Sequence, residues 1–495
     1  MKANTRWPCS NCLQARGHNT NFRVYRMVPA ACLACNGGLF LHKPFGVHMR
    51  SLPRLMVTAA ATLCVVGAAW AAPAALPHEM RAYSFASPEQ VAPGRGEVIA
   101  SHTVQAAGAP WLRLQFKDVR LLPGSKLRIT SLQDGAVQEL DARGLHQWRN
   151  TSAYFNGEAV RVELLAGKGS KGNRFAVSHV MVGQAPVQTE SQCGATDDRV
   201  PSNAPDRARL VNVGCTVNLM SNGCFVTAGH CLASPGSVNV VEFNVPLSGS
   251  TGAIVHPAPK DQYVPTTNRL FKNSGVGKDW GVFTTSPNAT TGLTALQAQG
   301  SSLNFATAVP AVGADVVITG YGVDSGTANQ TQQVSNGPIT AVNTTGTSMQ
   351  YKADTEGGNS GSVVVSGGNV VAIHTHGGCT TAGTGSNQGT LYTNPELQAA
   401  FTQVCGATPP VPTCSNIRSV KAACSAKGRI TVNVRLTDSS FDGQSVAVAI
   451  DGASQDVPIN GDLAQVRLPG QAAGNHTYEL IDPAGCVAPK TVVCP

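Results

Sequence analysis

The chain has 495 residues, 42% of them hydrophobic and 13% charged, with 52 Gly and 30 Pro. That length excludes a single small module, the low charge excludes a coiled coil, and the abundance of Gly and Pro among Val/Thr-rich runs points to short strands joined by turns. The net charge of +8 does not signal nucleic acid: Lys2, Arg6, Arg16, Arg23, Arg26, Lys43, Arg50 and Arg54 sit in a stretch without acids, which leaves 28 bases against 28 acids in the rest.

Residues 1–48 hold Cys9-x2-Cys12 and Cys32-x2-Cys35, the knuckle spacing of a four-thiolate zinc site. Directly after them, Met49-Arg50-Ser51-Leu52-Pro53-Arg54 opens an apolar run over 55–70 that ends in Ala69-Trp70-Ala71. This is the order of a secretory signal peptide, and the run is short for a membrane span. Leu63 before Cys64 does not fit a lipoprotein signal. A signal peptide has to lie near the start of a chain to be recognised. Translation is therefore expected to begin at Met49, with residues 1–48 absent from the mature protein and 49–71 removed on export; a zinc ribbon ahead of a signal-anchor is the alternative.

Setting aside Cys9, Cys12, Cys32, Cys35 and Cys64 leaves Cys193, Cys215, Cys224, Cys231, Cys379, Cys405, Cys414, Cys424, Cys486 and Cys494, an even number as a disulfide framework requires. A secreted or extracellular location is expected, with periplasmic transit as an option. The first six of these cysteines are separated from the last four by a proline-rich piece, residues 407–413, which reads as a linker.

Residues 72–190 contain no cysteine and alternate apolar with polar residues in Trp111-Leu-Arg-Leu-Gln-Phe116, Lys126-Leu-Arg-Ile-Thr130, Ala159-Val-Arg-Val-Glu-Leu164 and Phe175-Ala-Val-Ser-His-Val180. Period-two alternation between turn signals predicts half-buried antiparallel strands and a β-sandwich. Residues 414–495 repeat the pattern in Arg429-Ile-Thr-Val-Asn-Val-Arg-Leu436 and Val446-Ala-Val-Ala-Ile450, with a Pro-Ala-Gly turn at 483–485; a second, disulfide-tied sandwich is expected.

Residues 191–406 carry three motifs in a fixed order: Val226-Thr-Ala-Gly-His-Cys231, Lys278-Asp-Trp-Gly-Val-Phe283 and Asp354-Thr-Glu-Gly-Gly-Asn-Ser-Gly-Ser362. Taken singly each has a plain reading. Ser360 could sit in an ordinary glycine-rich loop, His230 could be a packed residue or a metal ligand with Cys231, and Asp279 could be a strand-start acid. Together, in the order His, Asp, Ser, they resemble the chymotrypsin-like (trypsin-like) serine peptidases. The resemblance implies a mainly β fold, a double β-barrel peptidase domain over 191–406 flanked by the N- and C-terminal sandwiches.

It also implies roles. A serine hydroxyl is a poor nucleophile that needs an adjacent base. Ser360 would be the nucleophile, His230 the general base, Asp279 the carboxylate that orients it, and the N–H groups of Gly358 and Ser360 the oxyanion hole. Cys215 and Cys231, 16 positions apart, would form the disulfide beside the histidine. No metal or organic cofactor is required. Protein or peptide substrates are expected, with no nucleic acid, no stable membrane partner and a monomeric state. The rival from another class is an inactive binding or adhesion protein on the same scaffold, although such a protein has no chemical need to keep all three side chains and both glycines.

The hairpin after the serine allows a register argument. Val363-Val-Val365 and Val370-Val-Ala-Ile373 flank a Gly367-Gly368 turn, which pairs positions summing to 735 and brings His374 opposite Gly361, next to the nucleophile. His374 is therefore a rival base, though nothing visible in the sequence orients it. Ile373-His-Thr-His-Gly-Gly378 also resembles the stretch in glutamyl endopeptidases of the same family in which a histidine, with a threonine five residues before the serine, binds an acidic P1 side chain. His374 and Thr355 fit those positions. Asp354 occupies the position where trypsins recognise Lys and Arg, so basic specificity is the competing expectation. Asn359 stands where vertebrate-type trypsins keep the aspartate that pairs with a newly cut N-terminus; that zymogen switch cannot operate here. Residues 72–190 are accordingly expected to act as a propeptide, with a permanently attached accessory sandwich as the alternative.

Overall fold

In the computed structural model, residues 75–495 are described except 89, 92–96, 185–191, 234–238, 407–411, 440 and 442–444. The paired Cys-x2-Cys motifs, the signal segment and most of the proline-rich linker lie outside the described residues. The fold is mainly β, with a few short helices, and among the described residues no helix is long and apolar enough to cross a membrane.

Alternation becomes sheet where the sequence shows it. Lys126–Ser131 buries every second residue, as a strand with one face on a core must. It lies in a four-stranded antiparallel sheet with Val98–Gln105, Ala159–Leu165 and Val137–Leu140. Trp111–Arg120 and Lys171–Gly183 belong to a second, five-stranded sheet. Leu127, Ile129 and Val162 of the first sheet share one core with Trp111, Leu114 and Val177 of the second.

Two antiparallel sheets follow over the motif-bearing region. The first runs in the order Gln262–Tyr263, Val240–Glu242, Arg207–Val211, Cys215–Leu219, Phe225–Thr227, Asp279–Thr285, Pro265–Asn273. The second closes on itself: Asp315–Gly320, Gln333–Val342, Ser348–Tyr351, Asn387–Leu391, Asn369–His376 and Val363–Ser366 pair in turn and return to Asp315–Gly320. Closure leaves these six strands without an open edge. Val226, Trp280 and Val282 of the first sheet, and Met220 just after its strand Cys215–Leu219, pack on Val363, Val370 and Ile373 of the second, with Leu397 of the helix Pro395–Phe401. This apolar seam between the two sheets fixes where their motifs meet.

In the closed sheet, Gly367 and Gly368 have φ of +57° and +81°, the left-handed pair a type I′ hairpin turn requires. Ser366 and Val365 face Asn369 and Val370, in the expected register. A bulge then shifts the pairing by one, so that Val364 faces Ala372 and Val363 faces Ile373. Gly361 N–H still donates to the His374 carbonyl at 2.8 Å.

The C-terminal residues form seven antiparallel strands along one hydrogen-bonded path. The strand Ala453–Asn460 pairs with Ser445–Ile450 as far as Pro458 and with Leu463–Leu468 from Ile459 onward, so a single strand turns the sheet over its own core. Among the described residues, five disulfides, Cys193–Cys379, Cys215–Cys231, Cys224–Cys405, Cys414–Cys486 and Cys424–Cys494, use all ten expected cysteines. No pair crosses from the group of six to the group of four.

Candidate active site

The three motifs lie in or beside different strands and meet on the seam. His230 lies in the single turn Gly229–Cys231 directly after the strand Phe225–Thr227, and Asp279 is the first residue of the neighbouring strand Asp279–Thr285. Asp279 grips His230 twice: Oδ2 lies 2.7 Å from ring Nδ1, and Oδ1 accepts the His230 backbone N–H at 3.0 Å. A carboxylate that holds both main chain and ring sets the tautomer and the ring plane together. Gly229 makes this approach possible, because a Cβ there would fall 1.8 Å from the Lys272 carbonyl oxygen.

Ser360 sits in the loop before Val363–Ser366. Its carbonyl oxygen accepts Thr216 N–H at 2.8 Å and lies 3.7 Å from Cys231 Sγ, so the serine backbone touches the residue next to His230. A Cβ on the next residue, Gly361 (φ +89°), would meet Thr227 Oγ1 at 2.1 Å. Only glycine permits both that conformation and that contact. Gly358, at φ +104°, gives the loop its second left-handed turn. Asp279 and Ser360 are fully buried, and His230 is 7% exposed.

Cys215 and Cys231 are joined, which ties the His230 turn to the strand Cys215–Leu219. The cluster Cys215, His230, Cys231 is compact enough to suggest a metal. With the two sulfurs bonded to each other, however, no thiolate is on offer, and the metal-ligand option for His230 loses its partner.

His374 is fully buried and bonds Tyr351 Oη through Nδ1 at 2.6 Å; its Nε2 has no partner among the described residues. Burial, followed by the nearby His376 and His230, pushes its pKa down to about 3. The Tyr351 phenol is driven well above its usual range by the same desolvation. Tyr351 therefore gives His374 the orientation that the sequence alone did not reveal. His376 is also held below the ordinary histidine range, first by burial, with Asp279 opposing and His230 adding to the shift.

Thr355 Oγ1 accepts a hydrogen bond from Asn387 Nδ2 at 2.9 Å. Asp354, by contrast, turns its carboxylate toward the segment that leads into the first sheet. Oδ1 accepts Cys193 N–H at 2.7 Å and Oδ2 accepts Asp198 N–H at 2.9 Å. Both Asp354 oxygens thus have backbone donors, and burial raises its pKa.

Two residues that sequence reading did not single out hold the loop in place. Thr216 donates its hydroxyl to the Gly358 carbonyl at 3.0 Å, and Asn218 Nδ2 donates to the carbonyls of Gly361 at 2.7 Å and Val226 at 3.1 Å. Asn218 thus links the end of the histidine strand to the serine loop. The one available signal was two polar residues in a strand with a cysteine at its start, which is too common to stand out.

Residues 214–373 match the sequence model of a trypsin-like peptidase domain, a span that contains His230, Asp279 and Ser360 and ends one residue before His374. Among solved structures, a Glu endopeptidase in complex with MPD is 18% identical; the similarity covers 43% of this chain and all of that one, with a TM-score of 0.34. The protease Anisep from Arthrobacter nicotinovorans is 16% identical over 42% of this chain and 99% of its own, with a TM-score of 0.33. A mutant of human heparin binding protein is 13% identical over 44% of this chain and all of its own, with a TM-score of 0.34. No curated protein sequence matches the chain.

Proposed function

We propose that the chain is a secreted serine endopeptidase that cleaves peptide bonds through Ser360, His230 and Asp279 and prefers an acidic P1 residue. One observation carries the reading: the His230 ring is held at Nδ1 by Asp279, in a turn whose next residue touches the Ser360 backbone. With Nδ1–H donated to the carboxylate, the Nε2 lone pair takes the Ser360 proton as Oγ attacks the scissile carbonyl. The oxyanion is received by the N–H groups of Gly358 and Ser360. His230 then gives the proton to the leaving amine, and water attacks the acyl-enzyme by the same route in reverse.

The acidic preference rests on the donors available near the nucleophile. A Tyr351 phenol that stays protonated donates to His374 Nδ1, which leaves the proton of a neutral ring on Nε2, where a P1 carboxylate can accept it. The Thr355 hydroxyl accepts from Asn387 and so has its own proton to give. Asp354, with both oxygens engaged, speaks against a Lys or Arg preference.

Labelling with a fluorophosphonate probe tests the chemistry, and profiling with a peptide library tests the pocket. The wild-type chain is expected to label, and Ser360→Ala to abolish labelling and lower turnover by about 10^6-fold while leaving the fold intact. An unlabelled wild-type protein, or an active Ser360→Ala variant, would overturn the proposal.

A further inference from the structure

The loop that bears Ser360 is held from behind by the segment 193–199, and the hold is unlike a cleavage-dependent switch. Asp354 takes the N–H groups of Cys193 and Asp198. Ser335 Oγ donates to Asp198 Oδ1 at 2.7 Å and accepts Asp354 N–H at 2.9 Å. Cys193 is joined to Cys379, three residues beyond His376. The segment is therefore fixed by covalent and polar links on both sides of the serine loop.

Arg199 ends this segment with a side chain only 2% exposed. Its Nε and Nη2 donate to Asp197, and Nη2 also to the Val323 carbonyl at 3.0 Å, with Asp324 Oδ2 at 3.7 Å. Nη1 is buried with no partner among the described residues, and so is Oδ1 of Asn359, the residue immediately before Ser360. Both atoms crowd one point. A Cβ on Gly322 would fall 2.1 Å from Asn359 Oδ1 and 2.5 Å from Arg199 Nη1. A cationic donor and a neutral acceptor thus face each other in a space that glycine at 322 keeps open.

We infer that Arg199 is a positioning residue for the oxyanion loop, acting through Asn359, and that the site is competent without a cut ahead of Cys193. The inference rests on the proposed peptidase reading. Charge accounting explains the asparagine. The Arg199 charge is already met by Asp197, with Asp324 close by, so a third carboxylate at 359 would be an uncompensated buried anion, whereas an amide oxygen beside Nη1 brings no charge. The Arg199 side chain is part of the chain before any cleavage. A chain amine, by contrast, exists only after cleavage.

The test compares wild type, Arg199→Met, Arg199→Lys, Asn359→Ala and the double variant Arg199→Met/Asn359→Ala in the full chain. The readouts are kcat, KM, affinity for a peptide boronic acid, and the N-terminus of the active species by mass spectrometry. Loss of loop position is expected to lower kcat about 10- to 100-fold in Arg199→Met, with KM changed little and boronic acid affinity falling in parallel. Arg199→Lys should recover part of the loss. Asn359→Ala should show a similar loss, and the double variant no further one, as coupled groups do. Should Arg199→Met fail to fold, Asn359→Ala carries the test, since it removes no charge. Wild-type kcat in Asn359→Ala, additive losses in the double variant, or activity found only in species cut ahead of Cys193 would each overturn the inference. A wild-type protein without activity or fluorophosphonate labelling would instead overturn the peptidase reading itself.

Discussion

A histidine buried without a charged partner makes its cost visible in pH. His374 is neutral in the folded chain down to about pH 3, whereas an exposed histidine in the unfolded chain binds a proton below about 6.5. Between those values the unfolded state holds the extra proton, so stability rises with pH across the window and falls as the solution is acidified, by an amount on the order of a few kcal/mol. Above the window this group adds no pH dependence. His374→Leu is therefore expected to narrow the gap between urea midpoints measured at pH 7 and pH 4, even if the unpaired Tyr351 hydroxyl lowers both. The same variant should cut kcat/KM for a glutamyl P1 peptide by at least about 10-fold, with a smaller effect on an apolar P1 peptide. Tyr351→Phe, which loses one hydrogen bond of roughly 0.5 to 1.5 kcal/mol, should cut it about 3- to 10-fold. Equal losses on both peptides would remove His374 from the pocket. His374 was legible in the sequence because a two-residue turn fixes the register of a hairpin. Its partner was not, because Tyr351 reaches it from a strand that joins the barrel through Asn387–Leu391, a pairing no local pattern encodes.

Strand alternation was a sound guide to where strands lie and a poor one to what their polar faces do. Lys126, Arg128 and Thr130 of one strand and Thr431, Asn433 and Arg435 of another lie on the less buried face, as their pattern says. Cys215–Leu219 has the same alternation, yet all five residues are buried. It lies under the serine loop, so what would be its solvent face supplies hydrogen bonds to Gly358 and Gly361 through Thr216 and Asn218. The three motifs were legible because the chemistry restricts the residue types. The support beneath them was not, since any small polar side chain in a strand looks alike until the neighbouring loop is known. Asn218→Ala leaves the Gly361 carbonyl and the Val363 N–H without their side-chain partner. The expected cost is about 1 to 3 kcal/mol, read as a lower urea midpoint at unchanged m-value, together with a fall in kcat larger than any change in KM. A variant with wild-type stability and kcat would show that the strand pairing alone holds the loop.

At the scale of the whole molecule, the question is whether residues 75–184 can leave. Val211, Val240, Ile254 and Val264 of the motif-bearing region belong to the same hydrophobic core as Trp111, Tyr154 and Phe155. Across that boundary the backbone of Tyr154 exchanges two hydrogen bonds with the Gln262 amide, and the backbone of His256 exchanges two with the Asn156 amide. His256 is stacked on Tyr154 at 4.5 Å, stands edge-on to Trp111 at 5.1 Å, and bonds the fully buried Glu242, which in turn pairs with the buried Arg209. Removing the N-terminal sheets would expose four aliphatic side chains, at roughly 1.5 to 3 kcal/mol each if fully uncovered, and would open a buried ion pair to water. A cut between residues 184 and 192 is thus expected to leave the two pieces associated, in contrast to a propeptide that is released on processing. Gel filtration of protein nicked there should show co-elution under native conditions and separation only in denaturant, and a chain beginning at residue 192 should aggregate or melt well below the intact protein. If the nicked pieces part in native buffer and the larger one stays folded and active, the N-terminal sheets are a removable cover, and the shared core contributes far less than its buried surface implies.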